Sequence, residues 1–306
     1  MAGVSGWTSN SGRWQDTGNG SVRSDAVPSM PAKAGQGHPS GGVARGWASA
    51  PLITEPLLRP AGATAQRPVL KTAEEATTYR TGRVLPAGDA AHVYAPVGGQ
   101  GLNVGIVDAA NLGWKLAAVV CGWVGEDILD TYTTERHPVA ARLLQNTRAQ
   151  IALMRPDPQT RALWEMFSDL MDLDDAHRYV ADMLAGMDVR YDLGDDHRLV
   201  GTLCPDMKLT LERPDPVVVT AVTRSADLLR EGRGLLLDLV DCAEVRDAAA
   251  AWAGRVNTVT ARTDRVDVDA LLIRPDGCVA WALPTGQDLD ATTLVRALGT
   301  WFGQPA

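Results

Sequence analysis

The stretch GRVLPAGDAAHVYAPVGGQGLNVGIVDAANLGWKLA, Gly82 to Ala117, decides the reading of this chain. GRVLPAG is a short apolar run with Pro86 near its end, which predicts a strand. A loop from Gly88 to Gly101 follows. Beyond it, apolar residues at Leu102, Ile106, Ala109, Ala110, Trp114 and Ala117 recur at helical spacing and predict a helix starting near Leu102. Gly105 and Gly113 lie on that helix, where glycine costs stability, so a close-packed neighbour is the expected reason for each. Asp89, just after the strand, stands where α/β sheets bind ligands. A carboxylate fixed there can accept hydrogen bonds from the hydroxyls of a sugar or sugar alcohol. Gly98, Gly99 and Gly101 remove side chains and let backbone N–H groups approach a flat or anionic group. The positive end of the helix points at the same spot. On the glycines alone, a structural loop capped by Asp89 fits as well; the whole string is far more specific.

The rest of the chain bounds the function. Its 306 residues allow one large domain or two modest ones. A net charge of −8 argues against nucleic acid and anionic membranes, which want clustered Lys and Arg. No apolar run reaches the length of a membrane span. The N-terminus carries no basic start and apolar core, which predicts a cytoplasmic protein. Cys121, Cys204, Cys242 and Cys278 form no CxxC pair, so they read as small, buried, reduced thiols; no metal site is expected. Of the first 66 residues, 25 are Gly, Ser or Pro, and no periodic pattern lasts. Residues 1–66 are therefore expected to be a disordered head.

Downstream, a long helix is predicted over Ile128–Met154, started or kinked by Pro138 and ended by RPDP at Arg155–Pro158. Shorter helices are predicted at Gln159–Leu173 and Asp175–Leu184. A further module covers residues 199–306. It holds a helix near Ser225–Arg230, the buried strand GLLLDLV, a helix at Glu244–Ala253 and a strand at VNTVTA. The hairpin ALLIRPDGCVAWAL follows, turning at Pro275-Asp276-Gly277, with a last helix at Leu289–Phe302. The order gives a small α/β unit with enough pattern to fold alone.

GDAAHVYAPVGGQGLNVGIVDAANLGWKLA closely resembles the second flavin-binding motif of the FAD-dependent aromatic hydroxylases, single-component flavoprotein monooxygenases, and in particular actinobacterial hydroxylases of aromatic polyketides. The likeness continues through DTYTTERHPVAARLLQNTRAQIALMRPDP, MDVRYDLGDDHRLVG, LLREGRGLLLDL and LLIRPDGCVAWAL, from about Arg67 to the C-terminus. The resemblance implies an α/β fold. A partial, Rossmann-like FAD-binding domain (67–190) with long helices would be followed by a thioredoxin-like domain (199–306). It implies FAD as cofactor, NADPH and oxygen as co-substrates, and a polycyclic aromatic substrate. Gly88 and Asp89 would meet the ribityl chain. Pro96, Gly98, Gly99, Gln100, Gly101, Leu102 and Asn103 would line the isoalloxazine ring, although Gln100 and Asn103 also suit ordinary capping. His92 reads as a packed loop histidine rather than a base, and no catalytic residue is assigned. The chain departs from the family by lacking GxGxxG, DGxxSxxR and the β-sheet substrate domain that lies before this motif. The expectation is a truncated hydroxylase whose FAD binding is weak in this chain alone. Its protein partner would be a second copy or a missing N-terminal half. The alternative is a non-catalytic remnant or interaction subunit without bound flavin.

Overall fold

The computed structural model describes residues 74–305, apart from 96, 98, 213–221 and 265–266. The expected disordered head lies outside the described residues. The described residues all fall in one compact unit.

Two short strands, β1 (Glu74–Glu75) and β2 (His92–Val93), pair antiparallel and bracket the turn at Gly88. GRVLPAG is not a strand. Its start closes on itself, with the Thr81 and Val84 backbones exchanging hydrogen bonds of 2.9 and 3.0 Å across Gly82, whose φ is +60°. A tight turn satisfies those groups locally and leaves nothing for a ladder. Gly88–Ala90 then forms one turn of 3₁₀ helix.

Helix α1 (Gly101–Val120) begins within a residue of the expected start, but its faces are reversed. Leu102 is 74% exposed, and Ile106, Ala109, Ala110 and Ala117 also face solvent. The buried side carries Asp108, Asn111, Leu112, Lys115 and Ala118. An ideal Cβ on Gly105 would stand 3.3 Å from Gly88 Cα, so the expected close neighbour is the Gly88 turn. Gly113 has open space around it, contrary to expectation. Gly113→Ala should therefore raise the unfolding free energy by about 0.5–1 kcal/mol, whereas Gly105→Ala should lower it. Urea midpoints of the two variants check this, and equal shifts would contradict it.

A 3₁₀ turn (Glu126–Leu129) leads into α2 (Asp130–Leu153), which runs through Pro138 rather than starting there. Helix α3 (Pro158–Met171) has Pro158 in its first turn and Asp157 as cap, accepting from Thr160 N at 2.9 Å. Helix α4 (Asp174–Ala185) ends at Gly186, in the left-handed region.

The remaining elements build a six-stranded sheet of order β4-β3-β6-β5-β7-β8. An edge hairpin, β3 (Lys208–Leu211) and β4 (Val222–Arg224), was not foreseen; its strands are too short to show alternation. Strand β5 (Gly234–Asp238) is buried along its whole length. It pairs parallel to β6 (Val256–Arg262) through the crossover helix α5 (Ala243–Ala249). On its other side it pairs antiparallel to β7 (Val268–Ile273), which forms the expected hairpin with β8 (Val279–Pro284). Gly277 in the turn has φ +82°. Helix α6 (Ala291–Phe302) is capped by Asp290.

Alternation along β5 divides its leucines between two cores, as expected of a strand covered on both sides. Leu235 and Leu237 join Leu199, Leu209, Val259 and Ile273. Leu236 and Leu272 join Leu294, Leu298 and Trp301, and the same cluster continues into Leu112 of α1 and Tyr132 and Ala140 of α2. One core thus spans the helices and the module. An excised 199–306 segment would uncover it, so a broad, low-temperature transition is expected of that fragment; a sharp melt like the full chain's would contradict this. No described helix is long and apolar enough to cross a membrane.

Candidate functional site

The Gly88–Ala90 turn carries Asp89, whose side chain is exposed. Its placement does not come from a preceding strand. It comes from α1. Gly88, at φ +56°, stands against Gly105, and its N–H donates to Asp108 Oδ2 at 3.2 Å. Asp108 is fully buried and also binds His92 Nε2 at 2.6 Å and Arg136 Nε at 2.7 Å. Burial alone would raise the Asp108 carboxyl; the His92 hydrogen bond and the Arg136 charge outweigh it and hold it low. Arg136 donates further to Tyr191 Oη at 2.9 Å and to the Val104 carbonyl at 3.3 Å.

The loop after β2 enters α1 through Gly99 and Gln100. Gly99 has φ +66° and nothing within 4 Å of an added Cβ. Gln100 occupies the N-cap position of α1 but makes no side-chain cap. Its amide donates instead to the Met183 and Leu184 carbonyls, at 3.2 and 2.8 Å, and its oxygen accepts from Asn146 at 3.2 Å. That fastens the loop to α4 and α2. No acidic residue lies in the first turn of α1 and the Gln100 side chain does not cap it, so among the described residues its leading amides have no side-chain cap; Leu102 and Asn103 are exposed. Asp89, Gly99, Gly101, Leu102 and Asn103 are described here; Pro96 and Gly98 lie outside the described residues. His92 sits in β2 rather than in a loop. Two surface hollows, of about 600 and 630 Å³, lie elsewhere, around Gly122–Gly125 with α6 and around Leu153–Glu165.

A second buried cluster adjoins the first, because Glu135 and Arg136 are neighbours on α2. Glu135 receives both Arg274 Nη1 and Nη2, at 2.7 and 2.8 Å, and Lys115 Nζ at 2.9 Å. Asn111 donates to Glu135 at 2.6 Å and to Asp276 at 3.1 Å. Arg274, in the hairpin turn, also binds Asp276 and lies over the Trp301 ring at 4.4 Å. Two cations and two carboxylates balance. Burial would raise Glu135, but the Arg274 hydrogen bonds and charge and then Lys115 bring it down to about 2. Burial is the largest effect on Lys115 and brings its ammonium down to about 8. Sequence reasoning passed over both clusters, although Asp108, Asn111 and Lys115 follow a polar i, i+3, i+7 stripe. Of the cysteines, Cys278 alone is buried, its thiol pushed up to about 12 by that burial; Cys121 is exposed and Cys204 and Cys242 are half-buried.

Residues 61–147 match the FAD binding domain family, and residues 197–305 match the aromatic-ring hydroxylase C-terminal family. A 12-dehydrotetracycline 5-monooxygenase/anhydrotetracycline 6-monooxygenase of Streptomyces rimosus is 43% identical over 243 residues, covering 77% of this chain and 46% of that protein. A rifampicin monooxygenase of Streptomyces venezuelae is 44% identical over 229 residues, covering 75% and 44%. The solved structure of CabE, an aromatic hydroxylase from angucycline biosynthesis, superposes with a TM-score of 0.69 at 44% identity, covering 76% of this chain and 47% of that one. The chain spans a little under half the length of the curated relatives it matches. By sequence and by fold the chain is thus similar to aromatic-ring hydroxylases, with one region that matches the FAD binding domain family and another that matches the aromatic-ring hydroxylase C-terminal family.

Proposed function

We propose that this chain supplies the flavin-facing part of an FAD-dependent hydroxylase acting on a polycyclic aromatic, polyketide-type substrate, with NADPH and oxygen as co-substrates. The observation that carries the reading is the start of α1, with no side-chain cap among the described residues, together with the exposed Asp89 carboxylate, which has no partner among them, inside the segment that matches an FAD binding domain. The donor set fits a flavin. The Asp89 carboxylate suits the ribityl hydroxyls, and the amides of Gly101, Leu102 and Asn103, at the positive end of a 20-residue helix, suit an anionic ring edge. Gly99 leaves room for a flat ring. Bound FAD would supply the redox chemistry. The chain's own residues orient it and stabilise negative charge at its edge.

The thioredoxin-like reading of the C-terminal module is supported by its core order: a parallel β5-α5-β6 unit, an antiparallel hairpin β7-β8 on the far side of β5, and a closing helix. With no CxxC in the sequence, that module serves packing rather than thiol chemistry. A sequence whose four cysteines form no CxxC pair suits a cytoplasmic setting.

A second reading, an interaction subunit without flavin, is favoured by the apolar outer face of α1, where Leu102, Ile106, Val107 and Val120 are exposed. One experiment separates the two. The chain is co-expressed with the N-terminal half of a related hydroxylase and purified. The hydroxylase reading expects a yellow complex that oxidises NADPH faster when a polycyclic phenol is added. A stable but colourless complex would overturn it in favour of the second.

A further inference from the structure

Asp108 is fully buried on α1, and its two oxygens gather donors from three parts of the chain: the backbone of Gly88, His92 of β2 and Arg136 of α2. Helix formation does not ask for a carboxylate there. Asp is a poor helix former, and burying its charge is costly unless it is fully paired. Here it is paired, and one partner is the backbone immediately before Asp89. Asp89 itself is exposed and makes no hydrogen bond among the described residues, so its own side chain does not fix its direction.

We propose that Asp108 is the positioning residue of the flavin-facing turn. It fixes Gly88 and so sets the aim of the Asp89 carboxylate, while Arg136 and His92 hold Asp108 in place. What Asp89 meets rests on the flavin reading above; what Asp108 holds rests on geometry alone. The brace extends further. Arg136 adjoins Glu135, which Arg274 grips from the C-terminal module, so that module supports the same turn of α2. Gly88 is suited to be the point of attachment, since glycine adopts its positive φ without strain and, lacking a side chain, lets the turn lie close against Gly105.

The test uses the full 306-residue chain, with amide exchange and FAD-induced amide shifts read by NMR. Asp108→Asn keeps the size but puts an NH₂ where donors converge. Exchange at Gly88 should speed up by about 10-fold or more, the size expected for losing a hydrogen bond to a charged group. Amides in the middle of α1 should stay protected, and the FAD response at Asp89 should weaken by roughly 10-fold. Lys115→Met, which cuts the neighbouring cluster on the same helix, should lower the melting temperature and leave Gly88 protected. If Asp108→Asn does not fold, Arg136→Lys, which keeps the charge but loses the fork, should show the same pattern at about 3-fold. Unchanged exchange at Gly88, or equal loss in Lys115→Met, overturns the proposal. A wild-type chain that gives no FAD response overturns the flavin reading instead, and the Gly88 comparison still decides the role of Asp108.

Discussion

Glu135→Ala is expected to lower the unfolding free energy by about 3–5 kcal/mol, the usual cost of removing one partner from a buried ion pair. The loss strands Lys115 and leaves Arg274 with Asp276 alone. Lys115 and Arg274 are both fully buried, and Glu135 receives three of their hydrogen bonds. Against a typical total of about 5–15 kcal/mol, that leaves a marginal protein. Replacing Glu135 and Lys115 together, by Glu135→Leu and Lys115→Met, should cost less than Glu135→Ala alone, because Arg274 and Asp276 still pair and no charge is then left unpaired. Acid should act in the same direction. Glu135 is held at about 2 in the folded chain, against an ordinary 4.5, so between those values the unfolded chain binds more protons. Its stabilisation is complete above the ordinary value and is lost as pH falls toward 2, by a few kcal/mol on the order-of-magnitude scale of such shifts. Urea unfolding of the full chain at neutral pH, and of the wild type down an acid series, reads both effects. A loss under about 1 kcal/mol for Glu135→Ala would put the cluster on a par with a surface pair.

The second large effect concerns affinity. The 306-residue chain alone is expected to be colourless as purified, binding FAD no better than roughly micromolar to millimolar. Asp89 and the first turn of α1 can meet the ribityl chain and the ring. The sequence has no GxGxxG turn for the pyrophosphate. Each charge-assisted phosphate contact is worth about 1.5–3 kcal/mol, so doing without several weakens binding by orders of magnitude. Absorbance of the purified chain decides this, and stoichiometric flavin would contradict it.

The sequence made some layers legible and hid others for identifiable reasons. Strand β5, the hairpin turning at Pro275-Asp276-Gly277 and the extents of α1 to α4 could be read because apolar periodicity and Gly/Pro punctuation report local geometry. The orientation of α1 could not. Its apolar residues follow helical spacing, yet its buried face is the polar stripe Asp108, Asn111 and Lys115, whose partners lie on α2 and in the hairpin turn. Periodicity cannot say that a carboxylate will be paired from 28 residues away, as Asp108 is by Arg136. The same blindness explains GRVLPAG, whose apolar residues looked like a strand until Gly82 closed the backbone on itself. Asp89, Gly99 and Gly101 were singled out from the motif as candidate site residues, and their part in holding a flavin is what we propose. Gln100 was singled out too, but its role as a fastener to α4 depends on tertiary contacts that no spacing records.

We propose that the Gly88–Ala90 turn and the start of α1 face a flavin. Titration of the 306-residue chain with FAD, followed residue by residue through amide shifts, tests it most directly because it registers weak binding and locates it. Shifts concentrated at Asp89, Gly99 and Gly101 to Asn103 are expected, and their loss in Asp89→Ala at unchanged stability. Shifts centred elsewhere, or a response that Asp89→Ala leaves intact, would contradict it.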